Sequence, residues 1–320
     1  MAVHSLEPDR YTLHGHFSRD LLPALVIDPG DTVRLRTLDA SWYCFDNSDP
    51  FHLPARFLQR DPEKDSGHAL CGPIAIRGSH PGMTLEVRLK RIRPGGWGWC
   101  CSLASGGEYE KLGFDHPDRF NLGWQIDAAV GIAKNQFGQQ IQIRPFMGVL
   151  GMPPDSPGMH STVPPRFCGG NLDCKELVEG SRLFLPIAVD QALFSVGDGH
   201  AVQGDGEVAG PGLECPMSCV ELEFLLHREL GQAMPWAETP VGWITFGLHE
   251  DLNEAWTIAM HGMLDLMQRI HKLTRAHALA LASLVVDLHV TQVVNGVKGV
   301  HAVLPRQAWT EEATGRGPVL

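Results

Sequence analysis

The sequence predicts a mainly β protein with some helix (α+β): a β-sandwich-like composite fold with a helical pair near the C-terminus. Three observations carry this. Glycine (35) and proline (23) are abundant, which argues for many turns and short strands. Stretches of strict apolar alternation recur through most of the chain. Helical periodicity appears only late, from residue 252 onward. At 320 residues there is ample material for a buried core, in one large or two medium domains.

Residues 21–39 (LLPALVIDPGDTVRLRTLD) read as a strand, a Pro-Gly-Asp turn and a second strand, with Val33 and Leu35 alternating against Arg34 and Arg36. Segment 40–66 is polar, proline-bearing and aperiodic, which predicts a long loop. Residues 67–79 and 83–89 give strand, tight turn and strand. His68 stands just before the first of these, where a side chain can reach a cleft at a sheet's rim. Residues 94–125 are rich in glycine and tryptophan (GGWGWCCSLASGGEYE). They suit a wall or lid over a small-molecule pocket, or equally a loop packed on the core.

Residues 140–151 alternate through Ile141, Ile143 and Phe146, and a proline-rich connector, 152–165, follows. The connector predicts an N-terminal β-rich half (1–151) and a C-terminal half (152–320), or a crossing loop inside one composite domain. Residues 183–189 (LFLPIAV) read as a buried strand bounded by turns. Residues 218–227 form another, with Val220, Leu222 and Phe224 on one face, and 243–247 a third. An amphipathic helix of about six turns is predicted over 252–273. Thr274 caps a second helix over 275–287. A strand over 288–293 and the segment 295–305 close the chain.

The formal charge of −11 argues against nucleic acid or an anionic membrane as partner, because both require basic patches. No apolar run reaches the roughly 18–20 residues of a membrane-spanning helix. The first residues, MAVHSLEPDRYTLHG, lack the basic start and apolar core of a signal peptide, so a cytoplasmic location is expected. Eight cysteines, at 44, 71, 100, 101, 168, 174, 215 and 219, include no CxxC pair and are expected to be free thiols.

The chemistry concentrates between Arg166 and Glu214. Gly169-Gly170-Asn171-Leu172-Asp173 forms one polar, glycine-rich cluster. Gly197-Asp198-Gly199-His200 and Gln203-Gly204-Asp205-Gly206-Glu207 form the other, and the apolar run 183–189 between them is expected to brace the two clusters and set their separation. If residues 204–208 are extended, Asp205 and Glu207 point to the same side, and Asp198 and His200 share that relation. Like-facing carboxylates raise one another's pKa unless a cation neutralises them, either a divalent metal or the nearby Lys175. Single Asp-Gly pairs are ordinary surface turns. Three acids and a histidine within ten residues, beside a buried strand, point instead to a site.

At these residues the chain resembles the acetamidase/formamidase family. The text PPRFCGGNLDCKELVEGSRLFLPIAVDQALFSVGDGHAVQGDGEVAGPGLE keeps the GGN-x-D and SVGD-x-H-x-x-QGDGE signatures. GHALCGPIAIRGSHPGMTLEVRL, VDLHVTQVVNGVKGVHAVLP and ALVIDPGDTVRLRTLDA extend the similarity over most of the chain. The resemblance implies hydrolysis of a small amide, linear or cyclic, in a β-sandwich with added helices. It also implies a homodimer or higher homo-oligomer and a bound divalent metal. Zinc suits carboxylate and imidazole ligands, whereas an all-oxygen shell would favour calcium or magnesium.

On that basis His68, Asp173 and His200 are expected as metal ligands, with Asp198 or Asp205 supporting. Glu207 is the expected general base, assisted by Asp173. Asn171 and the backbone of Gly169-Gly170 are candidate oxyanion donors, and Gly169, Gly170 and Gln203 are assigned to the substrate. His68-Ala69-Leu70-Cys71 replaces the usual His-Pro-x-Thr, and Cys174 is unusual after the aspartate. Two rival readings are a cysteine nucleophile at Cys168 or Cys174 and a non-catalytic metal- or ligand-binding β-sandwich.

Overall fold

The computed structural model describes residues 1–102, 110–114, 120–228 and 230–310. In chain order the first strands are β1 (Val3–Leu6), β2 (Leu13–His14), β3 (Leu25–Ile27), β4 (Thr32–Thr37), β5 (Leu70–Ile76), β6 (Thr84–Pro94), β7 (Trp97–Cys101), β8 (Asn121–Asp127), β9 (Ile132–Asn135) and β10 (Gln140–Gln142). They continue as β11 (Phe146–Gly151), β12 (Gly169–Asn171), β13 (Arg182–Pro186), β14 (Phe194–His200), β15 (Met217–His227), β16 (Trp236–Glu238) and β17 (Gly242–His249). Two helices follow, α1 (Leu252–His271) and α2 (Arg275–Val285), then β18 (Asp287–Gln292) and β19 (Lys298–Pro305). The mainly β class with a late helical pair is the observed one.

The strands form a nine-stranded sheet in the order β1-β4-β15-β6-β13-β16-β17-β19-β18 and a six-stranded sheet in which β12-β11-β14-β5-β2 run side by side and β3 joins β5. A four-stranded meander, β10-β9-β8-β7, completes the β structure among the described residues. Both large sheets take strands from either side of the 152–165 connector: β15 lies between β4 and β6, and β14 between β11 and β5. The main core joins residues of both, such as Val33, Leu85, Val87 and Leu222 with Ile74, Met147 and Val196. Strands β5 and β14 are buried along their whole length. A second core lies under α1, where Ala255, Ala259, Met263 and Met267 cover Phe184 and Trp236.

The helix starts where a cap is available. Asp251 is extended, and its side chain accepts from the Asn253 amide. Thr274 does the same for His277 at the second helix. Helix α1 then lies so close to β17 that a Cβ built on Gly247 would stand 1.8 Å from the Ala255 carbonyl oxygen. Glycine at 247 is therefore a packing requirement.

Two expectations change. Residues 97–101 are a strand and not a lid, because Trp97-Gly98-Trp99 alternates with the period of a sheet. Trp97 and Trp99 are buried, and their indole N–H groups donate to the Phe45 carbonyl and to Asp39 Oδ2, each at 2.7 Å. Within the glycine- and tryptophan-rich stretch 94–125, read as a wall or lid or as a core-packed loop, residues 103–109 and 115–119 lie outside the described residues. The apolar run beginning at residue 183 does not brace the two polar clusters. Its strand β13 belongs to the nine-stranded sheet, whereas the clusters sit on β12 and β14 with β11 between them.

Candidate active site

Strand β11 sets the floor. Its register with β14 pairs Met147 with Gly199 and Val149 with Gly197, so Gly148 lies opposite Asp198. The amides of Leu172 and Asp173 both donate to the Gly148 carbonyl, at 2.9 and 3.2 Å, which folds Asp173 back over the same position. A Cβ built on Gly148 would meet Asp198 Oδ2 at 2.4 Å and Asp173 Oδ1 at 2.6 Å. Any side chain at 148 would fill the space in which the two carboxylates meet.

Around that floor two overlapping triads form. Asp173, His200 and Glu207 each present one ligand atom, all within 4.8 Å of one another, and so do Asp198, His200 and Glu214. All five side chains are buried. His200 Nε2 lies 2.9 Å from Glu214 Oε1 and 3.3 Å from Asp198 Oδ1. Yet both of its ring nitrogens lack an aligned hydrogen bond, as do Asp173 Oδ1, Asp198 Oδ1, Glu207 Oε2 and Glu214 Oε2. Buried polar atoms are normally paired. Here more than half of the unpaired ones among the described residues belong to one imidazole and the four carboxylates around it.

The backbone is strained at the same place. Asp173 (φ 47°), Asp198 (φ 59°) and Glu207 (φ 48°) are all left-handed. That conformation costs an L-residue about 1–3 kcal/mol and clusters at functional sites. Electrostatics agree. Burial and then the Asp198 carboxylate push Asp173 up to about 6. Burial and then Asp173 push Glu207 well above the usual carboxylate range. Burial lifts Glu214 to about 8 against the pull of His200. Burial also opposes the charge on Asp198, but His200 and His68 outweigh it and hold this carboxyl low. His200 itself is raised against burial by Glu214 and Asp198. With all four carboxylates ionised the cluster would carry more negative charge than one imidazole can compensate, an imbalance that protons relieve by raised proton affinity and that a divalent cation could equally relieve.

Of the residues expected from sequence, Asp173, Asp198, His200 and Glu207 come together. His68 falls in neither triad. It stands beside them, near enough to stabilise the charges of Asp173 and Asp198, with Nδ1 2.8 Å from Thr162 Oγ1. Gln203 Nε2 donates to the Asp173 carbonyl at 2.9 Å, which makes it a brace of that loop. Asn171 Nδ2 donates to the Val163 carbonyl and leaves Oδ1 unpaired. The Gly169 amide donates to the Arg166 carbonyl, and Gly170 pairs with Leu150 in the β11–β12 register.

Asp205 is elsewhere. Residues 204–208 are a turn and not a strand, so Asp205 and Glu207 diverge. Asp205 binds Lys175 Nζ at 2.8 Å and His289 Nδ1 at 2.9 Å.

Three contributors escaped the sequence reading. Glu214 completes the second triad from isolated bridges to Trp99 and His200. Asn295 Nδ2 donates to Asp173 Oδ2 at 2.6 Å from a loop that reads as an Asn-Gly turn. Gly148 lies inside a strand, where a glycine signals close approach. Cys168 and Cys174 are both buried free thiols. Burial pushes Cys168 up to about 11 and raises the Cys174 thiol further, the reverse of an activated nucleophile.

The sequence profile of the Acetamidase/Formamidase family matches residues 3–161 and 158–309. An acetamidase of Mycolicibacterium smegmatis is 25% identical over 255 residues, 61% of this chain and 61% of its own length. A formamidase of Methylophilus methylotrophus is 25% identical over 249 residues, 61% of this chain and 59% of its own. The chain therefore matches about three fifths of the length of these two relatives. The crystal structure of an acetamidase from Bacillus halodurans superposes with a TM-score of 0.79 at 26% identity, covering 94% of this chain and 97% of that one.

Proposed function

The chain belongs to the acetamidase/formamidase family, and from that premise we propose that it hydrolyses a small amide to a carboxylate and ammonia or an amine, using a divalent cation. The carrying observation is the convergence of Asp173, Asp198, Glu207 and Glu214 on His200 with their polar atoms unpaired. One imidazole with several carboxylate oxygens fits zinc or a similar divalent ion. Asp173, Asp198, His200 and Glu214 would hold it, with His68 beside them. When bound, such an ion acidifies water and polarises the amide carbonyl.

The protein's own groups supply the rest. An amide is a poor electrophile whose leaving amine must be protonated, so the site needs a group that both takes and returns a proton. Glu207 is that group: buried, with its proton affinity raised by burial and by Asp173. It removes the proton of the attacking water and delivers it to the departing nitrogen. Asn171 keeps one amide hydrogen beyond its bond to Val163 and can donate it to the developing oxyanion. Asn295 and Gln203 fix Asp173 from its side chain and its carbonyl.

The test is ammonia release from formamide, acetamide, propionamide, an aromatic amide and a lactam (for the last, ring opening), before and after chelation. Activity on at least one amide, lost on chelation and restored by zinc, is the expected result. Full turnover by protein verified to be metal-free would overturn the metal assignment. No turnover of any amide by metal-loaded protein would overturn the reaction itself.

A further inference from the structure

We propose a second, separate divalent-metal site, formed by Asp205, His289 and His301, for a zinc- or cobalt-class ion. The three residues come from different parts of the sequence and are fixed together by backbone bonds. His289 on β18 and His301 on β19 are direct partners in the antiparallel register, so they occupy one face. Their rings stack at 4.9 Å with an interplanar angle of 8°. The loop bearing Asp205 is tied to the same strand: the Gly206 amide donates to the Thr291 carbonyl, and the Val293 amide to the Gly206 carbonyl, each at 3.1 Å.

One ligand atom from each of the three side chains lies within 4.8 Å of the others. Independent of that clustering, His301 is fully buried and its Nε2 lacks a hydrogen-bond partner among the described residues. Its Nδ1 lies 2.7 Å from Thr291 Oγ1. When that hydroxyl accepts from Nδ1–H, Nε2 is a bare lone pair, the form in which imidazole binds metals.

The donor set identifies the ligand class. Two imidazoles and one carboxylate match the three-residue zinc sites that leave a fourth position for water. Calcium and magnesium prefer oxygen throughout. Lys175 Nζ and His289 Nδ1 now share Asp205 Oδ2, at 2.8 and 2.9 Å. An incoming cation takes over the role of the Lys175 ammonium at that carboxylate.

Bound there, the ion would fasten the turn that leads to Glu207 onto β18, just before the loop that carries Asn295. The site does not depend on the catalytic reading, since it shares no ligand with the triads around His200.

The full chain, stripped with a chelator, is titrated with Co(II) and with Zn(II). Bound metal is counted by mass spectrometry and the Co(II) visible bands are recorded. His289→Ala should bind one equivalent fewer than the parent and lose the bands of a nitrogen-rich site, while His200→Ala keeps them. Asp205→Asn should weaken that equivalent at least tenfold. His289→Gln, which retains a hydrogen-bonding group toward Asp205, separates loss of a ligand from loss of fold, with circular dichroism as the check. A folded His289→Gln variant with the parent's stoichiometry and spectrum would overturn the proposal. So would loss of all bound metal in a folded His200→Ala variant.

Discussion

At the scale of single residues the site depends on a side chain that is absent. Gly148 lies 2.4 Å, by its would-be Cβ, from Asp198 Oδ2 and 2.6 Å from Asp173 Oδ1. Gly148→Ala should therefore force the two carboxylates apart. We expect bound metal to fall by at least about tenfold and turnover by roughly a hundredfold, as for other misplacements of catalytic groups by about 1 Å. Parallel metal counting and steady-state kinetics decide it, and an alanine variant with unchanged kcat would refute the geometry. Glu207→Gln is the complementary case. It removes proton transfer while keeping the shape, so kcat should drop about 10²–10⁴-fold with metal largely retained. Asp173, Asp198, His200 and Glu207 were legible in the sequence because acids and histidine crowded around glycines. Glu214 and Gly148 were not. Glu214 reaches His200 through isolated bridges, which leave no periodic trace, and a glycine in a strand does not say what approaches it.

At the scale of elements, alternation revealed most strands and the helix pair but not which strands pair. The run 183–189 is apolar because β13 is an inner strand of the nine-stranded sheet, flanked by β6 and β16. The less conspicuous β11 separates the two clusters. Period-two patterns record burial of a face, whereas sheet order arises from contacts distant in sequence. One connection has its own energetic signature. Gln191, Ala192 and Leu193, with φ of 63°, 61° and 56°, make a left-handed turn leading into β14. The Gln191 side chain is exposed, so its removal forfeits little packing. Glycine at 191 relieves a left-handed penalty of about 1–2 kcal/mol. It restores about 0.5–1 kcal/mol of unfolded-chain entropy. Gln191→Gly should thus be more stable by roughly 0.5–1 kcal/mol, read as a higher urea midpoint at unchanged slope. A lower midpoint would show that the turn is not held left-handed in solution.

At the scale of the whole molecule, the interleaving of the sheets makes the two halves of the sequence depend on one another. β15 separates β4 from β6, and β14 separates β11 from β5, so neither large sheet is continuous without strands from beyond the connector. Glu86 on β6 ties this arrangement together electrostatically. Its carboxylate accepts from Arg182 Nε on β13 at 2.8 Å, from Arg88 Nε at 2.7 Å, and meets His227 Nε2 on β15 at 2.6 Å. Burial resists the charge, but Arg182, Arg88 and His227 together lower the carboxyl to about 2, from 4.5. A carboxyl lowered by folding adds stability that is complete above about pH 4.5 and is lost as the pH falls toward 2. The guanidinium partners are 32% and 39% exposed, so screening reduces the contribution to about 1–2 kcal/mol. Glu86→Gln should accordingly lower the urea-unfolding free energy by that amount at pH 7. Near pH 2–3 the gap from the parent should shrink toward zero, because both chains then carry an uncharged side chain at 86. A gap that stayed constant across this range would mean that Glu86 contributes by shape and hydrogen bonding alone. The three-strand charge link would then not be part of what joins the halves.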